Sequence, residues 1–95
     1  MTFTEFEDSL LLVTPPETLS IYLKALWYDV KGEWHTAHQQ VDHLDDATAC
    51  WVHAYLHRKE GDTWNADYWY RKANKKRPNI GLDEEWRKIT TALLQ

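Results

Sequence analysis

A chain of 95 residues, 43% hydrophobic and 27% charged, carries enough apolar surface for one modest core and is too apolar for a disordered protein. Its formal net charge of −4 argues against a general nucleic-acid binder, which is normally basic. The longest strongly apolar run, Leu10 to Val13, falls far short of the ~20 residues a membrane span needs, and Glu5, Glu7 and Asp8 stand where a secretory leader carries Lys or Arg.

In chain order, residues 4–12 are expected to form a short helix of irregular phase. Thr14-Pro15-Pro16-Glu17 reads as a helix start: threonine caps, proline suits the first turn, and glutamate sits at the capping-box position. Leu19, Tyr22, Leu23, Leu26 and Val30 then recur at three- and four-residue steps, one face of a helix that Gly32 stops. A second helix is expected from Glu33 to Leu44. A third, capped by Asp45 or Asp46, runs from Ala47 to Lys59 and ends at Gly61. A fourth, capped by Asp62 or Thr63, reaches Asn74, with Arg71, Lys72, Lys75 and Lys76 complementing its negative end. After a loop at Pro78, Asn79 and Gly81, Asp83, Glu84 and Glu85 open a last helix that turns Trp86, Ile89, Leu93 and Leu94 inward. No alternating β-branched segment occurs, and the expected fold is all-α with five to six helices.

The chain also repeats itself. Laying Leu23–Leu44 over Val52–Ala73 without a gap aligns Ala25 with Ala54, Gly32 with Gly61, Glu33 with Asp62, and Ala37 with Ala66, a step of 29 residues. Two antiparallel helices need glycine at the tight turn and small residues where they approach most closely, which explains each match. A first hairpin is thus expected at 19–44, a second at 48–78 and a capping helix at 82–94, all within one domain. Single hairpins cannot bury their apolar faces, so copies stack and their ends need covers. The last helix is expected to cover one end, and residues 1–13 the other.

Ala54, Gly61, Ala66, Tyr70, Ala73 and Pro78 resemble the tetratricopeptide ladder of small residue, turn glycine, alanine, aromatic, alanine and proline, and Ala25, Tyr28, Gly32, Ala37 and Leu44 match it in part. The step of 29 residues against the family's ~34 implies a shortened second helix, and Lys24 and His53 stand where the family places a large aliphatic residue. The run Trp51 to Asp62, followed by Tyr68-Trp69-Tyr70, is also similar to a segment of small uncharacterised bacterial proteins, a likeness that carries no function with it. The tetratricopeptide resemblance implies that the first helix of each hairpin lines a concave surface for an extended peptide. That surface would present Leu19, Tyr22, Leu26 and Asp29 from one copy and Thr48, Trp51, Tyr55, Arg58 and Lys59 from the other. Aromatic rings beside two cations suit a protein or peptide partner with an apolar anchor and a carboxylate. Alternatively, Trp51 and Tyr55 are core residues roofed by the last helix or by residues 1–13.

Two further readings stand beside the peptide module. Cys50, His53 and His57 share one helical face, so neighbouring pairs can grip a metal ion with Glu60 or Asp67, although Cys50 and His57 are about 10 Å apart along the axis and cannot share one. On this reading the chain is a small metal- or ligand-binding enzyme centred on His53 and His57. The competing expectation is a buried histidine pair hydrogen-bonded to Tyr70 and Asp67, with no metal and no cofactor. His35, His38 and His43 fall on the polar second helix, where solvent exposure accounts for them. The remaining reading is self-association, a homodimer that covers exposed tryptophans. The basic run Arg71 to Arg77 is accounted for by the helix end, and no phosphate-cradling glycine loop or activated nucleophile is present. The single cysteine, Cys50, cannot form an intrachain disulfide, so a reducing, cytoplasmic setting is expected.

Overall fold

Caps and glycines set the helix boundaries in the computed structural model, which describes all of residues 1–95. Six helices form: α1 (Phe3–Ser9), α2 (Ile21–Val30), α3 (Trp34–Val41), α4 (Ala47–Glu60), α5 (Thr63–Lys72) and α6 (Leu82–Leu93), with no strand. The fold is all-α. Thr2 and Glu5 make a capping box at α1, while the Asp46 and Asp62 carboxylates accept from the Ala49 and Asn65 amides to start α4 and α5.

The expected helix start at Thr14 is corrected. Residues 14–20 are non-helical, and α2 begins at Ile21, where the Ser20 side chain accepts from the Leu23 amide. A residue before a proline is disfavoured in the helical region, so Thr14 and Pro15 are both kept out of a helix by the proline that follows. A turn closed by the Leu19 amide on the Pro16 carbonyl then delivers the chain to Ser20.

The two interhelical turns are built alike. Gly32 and Gly61 adopt φ of +84° and +92°, and in each case the following amide returns to a carbonyl five residues back: Glu33 to Tyr28 at 2.9 Å, Asp62 to His57 at 3.0 Å. A side chain here would meet open space, so glycine is required by its backbone angle alone. These turns fold α3 against α2 and α5 against α4, with Ala25, Ala37, Ala54 and Ala66 fully buried. The α3 helix is only eight residues long.

The last helix does not cover the end of the stack, as the sequence suggested, but packs on both α2 and α4. The Trp86 indole donates to the Leu26 carbonyl at 3.0 Å, and Phe3 and Phe6 of α1 pack their rings against the same tryptophan. Glu85 fixes the register of α6. Its carboxylate is 2% exposed, accepts from Arg58 of α4 at 2.6 Å through Oε1, and accepts from the Tyr70 hydroxyl of α5 at 2.5 Å through Oε2. Arg58 also donates to the Ile80 carbonyl in the loop before α6. Opposite the hairpins, the Trp27 indole donates to Ser9, and Lys31 donates to the Leu10 and Leu12 carbonyls, which ties residues 1–13 to α2.

A buried ion pair contributes little net stability when intact, but removing one partner strands the other charge. Glu85→Ala should therefore lower stability by about 3 kcal/mol in chemical denaturation, whereas Glu84→Ala, on the exposed side of the same turn, should stay within about 0.5 kcal/mol of the parent. A Glu85→Ala loss no larger than that of Glu84→Ala would show that this carboxylate does not hold α6.

Candidate metal centre

Three imidazoles converge between the two hairpins. His53 and His57 lie one turn apart on α4, and His38 reaches them from α3, which packs against α4. One donor nitrogen from each ring falls in a set whose members all lie within 4.8 Å of one another. His38 Nε2 and His53 Nε2 are 3.0 Å apart, and His57 Nδ1 is 2.6 Å from Glu60 Oε2. With Nδ1 donating to that carboxylate, His57 Nε2 carries the ring's lone pair and can accept from the Asn65 amide nitrogen, 3.4 Å away. Indole rings wall the cluster: Trp34 stacks on His38 with centroids 4.9 Å apart, and Trp69 stacks on His53 at 4.0 Å. The Trp34 N–H is anchored on the Leu56 carbonyl, and Lys72 lies over the outer face of Trp69.

The setting disfavours the charged forms of His53 and His38. Burial, reinforced by the charges of His38 and His57, lowers the His53 pKa from 6.5 to about 4. Burial also lowers His38, with His57 adding to the effect. Neutral imidazole is the form that binds metals. His53 Nδ1 is buried without a hydrogen-bond partner, a cost of roughly 1–3 kcal/mol that the fold leaves uncompensated. Packing alone does not require such a group.

Two of the three imidazoles were expected from the sequence. The His53–His57 pair was legible from its four-residue step, but the hydrogen-bond partners expected for it are engaged elsewhere. Tyr70 donates to Glu85, and Asp67 accepts from Arg77 at 2.9 Å. His38, taken for a solvated residue, is the third member, its side chain 24% exposed and pressed between Trp34 and the α4 rings. His35 and His43 are exposed as expected. Cys50 is buried at the far end of α4 and its thiol points to the Asp45 carbonyl.

The concave-face residues are dispersed. Leu26 and Tyr55, 0% and 2% exposed, are core residues beneath α6, and Arg58 is committed to Glu85. Trp51 is half-buried with Lys75 above its ring, and Tyr22 donates to Asp46 at 2.9 Å. Lys59 pairs with Asp29 at 3.0 Å. No open groove joins these six, because α6 lies across the face they were expected to share. Five of the six tryptophans are at least partly covered within the chain, and Trp64 alone remains broadly exposed, at 78%.

No known protein family, curated protein or solved structure matches this chain. No helix is long and apolar enough to cross a membrane.

The depressed His53 pKa fixes a sign for acid stability. The unfolded chain takes up this proton more readily than the folded one, so the stability it contributes is complete above pH 6.5 and is lost as pH falls toward about 4. Metal-free protein should lose about 2 kcal/mol of unfolding free energy between pH 7 and 5, read by urea denaturation, and His53→Gln should flatten that slope. Equal slopes in the two proteins would place the proton uptake elsewhere.

Proposed function

We propose that the chain binds a divalent transition-metal ion through His38, His53 and His57. The observation that carries this reading is the meeting of three imidazole donors from two helices, with a carboxylate orienting one of them. In a tetrahedral zinc site, bond lengths of about 2.0–2.1 Å put donor nitrogens about 3.3 Å apart. The 3.0 Å separation of His38 and His53 lies within a few tenths of that figure, so small ring rotations would suffice. Imidazole donors suit zinc, copper, nickel and iron, and a coordinating ion would replace the N–H···N contact between His38 and His53. Glu60 on the second ring nitrogen of His57 holds the ring in orientation, the usual outer support of metal-bound histidine.

Three protein ligands leave one coordination position. Asn65, whose amide nitrogen is 3.4 Å from His57 Nε2, would be near enough to hydrogen-bond a bound water or to turn its carbonyl oxygen toward the ion. A water held there would be far more acidic than bulk water and could serve hydrolysis, which places the metal-dependent enzyme ahead of the peptide module among the functional readings.

Protein prepared without an affinity tag and titrated with zinc should bind one ion per chain. His38→Ala and His57→Ala should each weaken binding at least 100-fold, Glu60→Gln by about 10-fold, and the exposed His43→Ala not at all. Binding that survives His38→Ala unchanged, or stays well below one ion per chain in the parent, would remove the proposal.

A further inference from the structure

A cavity of about 460 Å³ opens between the carboxyl ends of α2 and α4 and the start of α6, away from the histidines. Its size falls within the roughly 300–1,000 Å³ of small-molecule sites. The floor is Asp29, 2% exposed, whose Oδ2 has no hydrogen-bond partner. Its only cationic neighbour is Lys59, with Nζ 3.0 Å from Oδ1 and 3.5 Å from the carbonyl oxygen of the same residue. The Tyr55 phenol also lines the floor. Burial raises the pKa of both Asp29 and Tyr55, the expected result for acids whose charged forms are poorly solvated.

The walls add two properties. Trp86, held flat by its bond to the Leu26 carbonyl, and Val30, 44% exposed, give an apolar strip. The rim carries Asp83, Glu84 and Arg87, none with an ion-pair partner within the chain, and Arg87 lies over the Phe3 ring, 4.8 Å from its centroid. With Asp29 and Lys59 neutralising each other, the lining keeps one excess negative charge. A buried acceptor, an apolar strip and a second acidic position in sequence match an aliphatic chain carrying ammonium groups at intervals.

We infer that this cavity is a binding site for a linear aliphatic polyamine, with one ammonium on Asp29, the methylenes along Trp86 and Val30, and a further ammonium between Asp83 and Glu84. The Lys59 ammonium marks where the inner ligand ammonium sits. Its side chain is 37% exposed and free to swing outward, so it acts as a built-in competitor that the ligand displaces. This site shares no residue with the histidine cluster and does not depend on metal binding.

Calorimetric titration of the full, metal-free chain with spermidine at pH 7.5 tests the inference. The parent should bind one spermidine per chain. Asp29→Asn should weaken binding at least 10-fold and Glu84→Gln about 3-fold, with Asp45→Asn, at the opposite end of α4, unchanged. Lys59→Gln should strengthen binding, because it removes the competitor; a purely structural Asp29–Lys59 pair would give no such gain. Butane-1,4-dicarboxylate, matched in apolar length but opposite in charge, should not bind. The inference is overturned by an absence of saturable binding in the parent, by equal losses in Asp29→Asn and Asp45→Asn, or by weaker binding in Lys59→Gln. Should Asp29→Asn fail to fold by circular dichroism, Glu84→Gln and Lys59→Gln, both at exposed positions, decide the matter by their opposite signs.

Discussion

A carboxylate that three helices share governs this structure. Glu85 enters from α6 with almost no contact with water, and its two oxygens are divided between Arg58 of α4 and Tyr70 of α5. Such a group is tolerable only when both oxygens are satisfied, so the α6 helix has one register in which it can dock. That register brings Trp86 over α2, covers much of the face that stacked hairpins would otherwise present, and leaves the Asp29 cavity open beside it. The same node holds α4 while its other side faces α3, where the imidazoles meet.

The hairpins were readable in the sequence because each feature has a local cause. A glycine at φ near +90°, an aspartate cap and an alanine at a close approach are demanded by a few neighbouring residues, and so they leave a pattern at short range. Helix docking leaves no such mark. The polarity of α6 gave its inward face correctly, but the surface it would meet depended on Glu85 finding Arg58, 27 residues away. The peptide groove expected from the tetratricopeptide resemblance was therefore drawn from residues that α6 and their own partners separate: Leu26 and Tyr55 in the core, Arg58 and Lys59 in ion pairs, Tyr22 on Asp46 and Trp51 under Lys75. The misplaced start of α2 has a different origin: a proline pair satisfies the cap rule at Thr14 while excluding helix at the residues before it.

His38 shows the same limit at the candidate metal centre. On α3 it is surrounded in sequence by His35, Thr36, Gln39 and Gln40, and polarity of that density ordinarily marks a solvated face. What distinguishes His38 is its indole neighbour at i−4, Trp34, which stacks on it within a short helix and presses it against α4. An aromatic residue one turn before a histidine is a faint signal, legible once the partner helix is known to carry two more. The resulting cluster is poor in stabilising terms, with an unbonded buried nitrogen on His53 and two rings, His38 and His53, that resist protonation. Such a site persists in a marginally stable domain more readily when it serves a ligand than when it serves packing.

The bond from the Trp86 indole to the Leu26 carbonyl joins residues 60 positions apart, whereas each hairpin closes through residues close in sequence. Assembly of the chain accordingly divides into an early and a late part. Local hairpins incur little loop-closure entropy and can form early, while docking of the last helix must close a loop that spans most of the molecule. Contacts made by that helix belong late on the folding route, so weakening them accelerates unfolding and leaves the refolding rate nearly untouched. Persistence of the native state over time is thus set at its carboxyl-terminal helix, while its speed of formation is set at the two glycine turns.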